Sequence, residues 1–200
     1  GKENDINQGL ALGTVDIIYT GQAFAARTYP SLAIGGAPFM FRDFDHWKKY
    51  SQGELLKELM EGYYKKGGNK PLAVTYYGVR HTTANKAINK PEDMAGLKIR
   101  VPESPVWVEM VRGFGASPTP IPFGEVYTAL QQKTVDGQEN PIPTIFSRKF
   151  YEVQGYLTMS RHMLQNNMML INRASFEKLS PALQKLLLDE AAAVSAKNTQ

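Results

Sequence analysis

Apolar and polar positions change period several times along this chain. Trp47, Leu55, Leu56, Leu59, Met60, Tyr63 and Tyr64 recur at helical spacing. With Asp43 or Asp45 as cap they predict a single helix through about Lys66, ended by Gly67-Gly68. In LKIRV the period drops to two: Leu97, Ile99 and Val101 alternate with Lys98 and Arg100, so one strand face enters a core and Arg100 projects from the other until Pro102 stops the strand. Ser104-Pro105 then starts a helix carried by Val106, Trp107, Met110, Val111 and Phe114 and halted at Gly115. The same reading predicts strands at 15–19 and 72–77, in SPTPIP, at TVDGQ, and near 156–160 and 168–172. It places further helices before Val15, after Pro91, from Phe123 to about Gln132, and after the cap Ser180-Pro181. The Gly- and Pro-punctuated run 21–44 reads as a buried crossing loop. Strands alternating with helices predict an α/β architecture with mostly parallel sheets.

One echo stands out. LALGTVD (10–16) and ALQQKTVD (129–136) both read as a helix end, a tight turn and a strand start. Two lobes of similar construction would produce it, and so would a chance match over three residues.

Composition narrows the classes. A chain of 200 residues with 42% hydrophobic content can bury a core, as one domain or two small lobes. No run approaches the roughly 18 apolar residues of a membrane helix, and no charged-then-apolar leader opens the sequence, so any export signal has been removed or was never present. Zero cysteines exclude disulfides, thiolate metal sites and cysteine nucleophiles, and fit an oxidising compartment. The excess of 23 Lys+Arg over 19 Asp+Glu is dispersed among acids, which argues against a nucleic-acid surface while favouring the approach of an acidic solute. His46, His81 and His162 are far apart with no metal-ligand spacing, and neither a nucleophile elbow nor a phosphate-binding loop is present. No metal, cofactor or catalytic residue is assigned, and an enzyme is the poorer reading.

What remains is a set of groups suited to an anionic, hydroxylated solute. Arg100 sits at the tip of a half-buried strand, where α/β folds place ligands; a solvated surface arginine is the alternative. Arg80 follows another strand, Phe123 opens a helix, Asn140 lies after TVDGQE, and Asn166-Asn167 precede MMLI. Guanidinium forks match carboxylates, amides read hydroxyls and an aromatic face covers an apolar edge. Taken singly, each has an ordinary reading as a surface pair, core residue or turn residue.

Together, GLKIRVPES, GASPTPIPFGEVYTALQQKTVDGQENP and KFYEVQGYLTMSRHMLQNN resemble the extracytoplasmic solute-binding subunits of TRAP transporters, the family of the C4-dicarboxylate and sialic acid binding proteins. The resemblance covers nearly the whole chain. It implies that Arg100 binds the substrate carboxylate, that Asn140 lies near the same ligand, and that Arg80, Phe123 and, most loosely, Asn167 complete the site. After the first strand the sequence departs from the sialic acid binders: TGQAFA offers Gly21, Gln22 and Phe24 where those proteins place a glutamate and an arginine. That shifts the expectation to a smaller sugar acid or hydroxy acid, with Gln22 as a contact. The family's opening strand-helix-strand unit and long C-terminal helices have no counterpart, so the chain reads as a fragment. The implied architecture is the two-lobed periplasmic-binding-protein (Venus flytrap) form, with 1–77 and 166–200 as an incomplete first lobe and 78–165 as the second, closing over the acid. The implied role is periplasmic capture of a small organic acid and delivery to a membrane permease, with no chemistry, no nucleic-acid partner and no stable membrane insertion. The alternative is a periplasmic domain that senses a carboxylate for a signalling system.

Overall fold

The computed structural model describes residues 2–199. The chain divides into two compact units, one made of Glu3–Tyr77 with Leu164–Gln200 and the other of Gly78–Met163.

The first unit opens with α1 (Glu3–Leu12), β1 (Ile17–Gly21) and α2 (Gln22–Ala25), then a 3-10 turn over Pro30–Gly36, α3 (Phe44–Gln52), α4 (Glu54–Lys65) and the start of β2 (Lys70–Ala84). The run 21–44 is therefore not loop alone. Asp43 caps α3 through the amide of His46 at 2.7 Å. The single helix expected as far as Lys66 is two, because Gly53 adopts extended backbone between them. A Cβ there would lie 2.9 Å from the Lys49 carbonyl oxygen, so the close approach admits glycine only. Leu10, Ile18, Leu32, Leu59, Tyr63, Met168 and Leu170 form the main core of this unit.

The second unit receives β2 at Gly78 and continues with β3 (Lys98–Val101), α5 (Pro105–Gly113), β4 (Ser117–Pro120), α6 (Val126–Gln131), β5 (Gly137–Pro141), α7 (Ile142–Ser147) and the first half of β6 (Tyr156–Ile171). The chain then returns to the first unit through β6, α8 (Arg173–Glu177) and α9 (Pro181–Asn198), which Ser180 caps through the amide of Leu183. Two strands expected at 156–160 and 168–172 are one strand of 16 residues. Val126, Ala129, Leu130, Val135, Ile145 and Phe150 form a core beneath α6 and α7.

Pairing is mixed rather than mostly parallel. β3 runs parallel to β4 and β5, whereas β5 pairs antiparallel with β2 and β1 pairs antiparallel with β6. β3 reaches its parallel neighbour β4 through α5, the kind of crossover that a parallel pair requires. Among the described residues no helix is long and apolar enough to cross a membrane.

Candidate functional site

The second unit gathers most of the expected site residues. β5 reads Gly-Gln-Glu-Asn-Pro and is buried along its whole length, an unusual composition for a strand that packs on both faces. Strand alternation divides its chemistry. Arg100 of β3 stands opposite Gln138, so Arg100, Gln138 and Asn140 share one face. Thr82 stands opposite Glu139, which places Arg80 and Glu139 on the other.

On the first face Arg100 is only 2% exposed, so the solvated-arginine alternative is excluded. The side chain is thus buried where the sequence pattern had suggested an outward face. Its Nε donates to the carbonyl oxygen of Ile121 at 2.9 Å, and its guanidinium carbon lies 5.8 Å from the centre of the Phe123 ring. The Asn140 amide donates to Gln138 Oε1 at 2.7 Å, and Gln138 in turn donates to Thr83 Oγ1 at 2.9 Å. This chain of amides fixes which atoms of Asn140 remain for a partner: its carbonyl oxygen and a second N–H.

On the second face Arg80 is equally buried and already held by protein. Its Nε and Nη2 donate to the two oxygens of Glu139, the latter at 2.7 Å, and Nη2 also donates to the Glu139 carbonyl oxygen at 2.6 Å. Glu139 Oε2 meets His162 Nε2 at 3.0 Å, whose Nδ1 meets Ser160 Oγ at 2.9 Å. Burial by itself would raise the Glu139 carboxyl; the Arg80 charge and the hydrogen bonds from His162 and Arg80 outweigh it and hold the group below its ordinary range. Burial and the neighbouring His162 and Arg161 lower His81, which stands opposite Asn140. Glu139, His162 and Gln138 escaped the sequence reading. The one available signal was three consecutive polar residues, Gln138-Glu139-Asn140, inside a strand.

Two expected contacts belong to the first unit. Gln22 is buried at the start of α2, its Oε1 accepting from the Tyr50 hydroxyl at 3.2 Å. Asn167 is half-buried on β6 opposite Gly21, while its neighbour Asn166 is sealed in and donates to the Gly35 carbonyl oxygen at 2.7 Å. Among the described residues no cluster of His, Cys, Asp or Glu suited to a metal ion occurs.

Residues 1–200 match the family described as bacterial extracellular solute-binding protein, family 7. The chain is 36% identical over 200 residues to the sialic acid-binding periplasmic protein of Vibrio cholerae, covering 62% of its length. It is 38% identical over 187 residues, 92% of this chain, to the 2,3-diketo-L-gulonate-binding periplasmic protein of Escherichia coli, covering 56% of that protein. A crystal structure of a TRAP periplasmic solute binding protein from Polaromonas, bound to D-erythronate, superposes with a TM-score of 0.93 at 37% identity over 100% of this chain and 66% of the other. The chain thus spans about six-tenths of the relatives' length.

Proposed function

This chain belongs to family 7 of the bacterial extracellular solute-binding proteins, and from that premise we propose that it serves a TRAP-type secondary transporter as its periplasmic binding subunit. In this reading it captures a small organic acid (a sugar acid, hydroxy acid or dicarboxylate) through Arg100 and delivers it unchanged to the membrane permease. The two units correspond to the lobes, 1–77 with 166–200 and 78–165. The observation that carries the reading is the setting of Arg100: a buried guanidinium, oriented by the Ile121 carbonyl, beside an aromatic ring and on the face of a strand that presents buried amides. A guanidinium fork meets a carboxylate with two parallel hydrogen bonds, and low-dielectric surroundings strengthen the contact. Asn140 reads a hydroxyl of the acid, and Phe123 covers an apolar edge. Arg80, its charge compensated by Glu139 on the other face, acts on the site indirectly by anchoring the strand that carries Asn140. Gln22 and Asn167 are the candidate contacts of the other unit.

The relatives' ligands, D-erythronate, 2,3-diketo-L-gulonate and sialic acid, share a carboxylate and hydroxyls or a keto group. Gln22 is uncharged and tied to Tyr50, which favours a smaller acid than sialic acid. Calorimetry on the full-length protein against aldonates, hexuronates, C4-dicarboxylates and sialic acid tests this. A ranking with sialic acid clearly first overturns the size argument. Arg100→Ala tests the site itself, with an expected loss of roughly 30-fold to several-thousand-fold in affinity, the cost of truncating one partner of a buried charge pair. Arg100→Lys keeps the charge but loses the fork, and falls between. Arg112, an exposed partner of Glu109 at 2.7 Å, supplies the control. Binding by Arg100→Ala equal to that of Arg112→Ala removes the carboxylate contact.

A further inference from the structure

The segment that carries Asn140 ends on a further arginine, Arg148. β5 runs through Asn140 to Pro141 and directly into α7, whose C-terminal cap is Arg148. The six-residue helix thus delivers Arg148 back to Phe123, its guanidinium carbon 4.9 Å from the ring centre. Phe123 packs one side against the core of Val126, Leu130 and Phe150. It begins a single 3-10 turn after Pro122, is half-buried, and meets Phe150 edge-on at 6.4 Å and 76°. Arg100 is at 5.8 Å from the same ring. A cavity of about 410 Å³ opens beside the ring, lined by Phe123, Tyr127, Arg148 and Phe150 among others, so that side of the ring is not closed by packing and Arg148 is the group that covers it.

We propose that Arg148 is a positioning residue: stacked on Phe123, it holds the ring in the orientation in which Phe123 faces the acid bound by Arg100. Arg148 is exposed and forms no ion pair among the described residues, whereas the next residue, Lys149, pairs with Glu152 at 3.7 Å. A planar guanidinium not committed to a carboxylate is free to lie flat on an aromatic face, which an ammonium does less well. Asn140 and the orientation of Phe123 are then set by one continuous strand-helix segment. A shift of α7 moves both.

The inference rests on the proposed binding of an acid at Arg100 and Phe123, and a double-mutant cycle separates the two. D-erythronate is the probe, its affinity measured by calorimetry on full-length wild type, Phe123→Ala, Arg148→Ala, Arg148→Lys and the Phe123→Ala/Arg148→Ala pair. Arg148→Ala is expected to weaken binding about two- to fivefold, the size of an exposed cation-π contact. Arg148→Lys is expected to recover part of that. In the Phe123→Ala background the Arg148→Ala change should have no further effect. If the loss persists undiminished without the ring, Arg148 acts on the acid through charge alone and the positioning role is overturned. Wild-type affinity in Arg148→Ala alongside a weakened Phe123→Ala overturns it equally. Wild-type affinity in Phe123→Ala removes Phe123 from the site and the inference with it, while the Arg100 contact stands or falls on Arg100→Ala.

Discussion

β1 and β5 are the same piece of backbone with different chemistry. A constant offset carries Gly13 onto Lys133, Ile17–Gly21 onto Gly137–Pro141, and α2 onto α7. Gly13 and Lys133 both take positive φ, 76° and 55°, and the following amides reach back alike, Thr14 to Gly9 at 3.0 Å and Thr134 to Ala129 at 2.9 Å. Each strand then ends on a residue with φ near −65°, Gly21 or Pro141, that starts a helix. The cores repeat as well: Ile6, Leu10, Val15 and Ala25 correspond to Val126, Leu130, Val135 and Ile145. The strands differ in their neighbours. β5 lies between β2 and β3, whereas β1 pairs with β6 alone among the described residues. Accordingly Ile17 and Tyr19 are 45% and 50% exposed, while their counterparts Gly137 and Glu139 are sealed. Flanked on both sides, β5 therefore buries Glu139, whereas the same backbone plan on β1, paired on one side among the described residues, leaves Tyr19 exposed.

The largest test of this contrast removes the buried acid. Glu139→Gln leaves Arg80 and His162 without their carboxylate and is expected to cost about 3–5 kcal/mol in chemical denaturation, the penalty for stranding a buried charge. Tyr19→Gln, at the corresponding exposed position, should stay within about 0.5 kcal/mol. Similar costs at both positions would show that the two strands are not so differently enclosed.

Next in size is pH. In the second unit Glu139 and His81 are both held below their ordinary values. In the acid window the unfolded chain binds more protons than the folded one. Their contribution is thus present above the unfolded values and lost as pH falls, from about 6.5 downward for His81 and about 4.5 downward for Glu139. In the first unit burial raises Tyr50 and Tyr63, so the folded state keeps protons that the unfolded chain loses and stability falls as pH rises past 10.0. Trp47 and Trp107 are the chain's 2 tryptophans, one buried in each unit. With the other tryptophan replaced by Phe, Trp107 fluorescence should respond first on acidification and Trp47 first on alkalinisation. The reverse order contradicts the assignment.

The smallest effects lie in the repeated turn. Lys133→Gly relieves a left-handed side-chain-bearing residue and should stabilise by about 0.5–1 kcal/mol, while Gly13→Ala should destabilise by about 1 kcal/mol. Thermal melts that shift the same way for both would mean the two turns are not equivalent.

Features controlled by near neighbours could be read from the chain. The caps Asp43 and Ser180, the Pro105 helix start, the β3 strand and the helix-turn-strand echo were all legible, because periodicity and capping act within a turn or two. The buried Arg100 was singled out too, although its alternation pattern pointed outward. Local reading failed where local signals conflict, as at Gly53, a glycine inside an otherwise continuous helical period, and in β6, where the buried polar residues His162, Gln165 and Asn166 interrupt the apolar pattern. Tertiary structure alone decided the Arg80–Glu139–His162 cluster and the Arg148–Phe123 stack. Glu139 lies 59 residues from Arg80 and 23 from His162, and no spacing rule connects them. The Arg80–Glu139 pairing is imposed by the antiparallel register of β2 with β5, and its strength by the exclusion of water, both properties of the assembled sheet rather than of any stretch of chain.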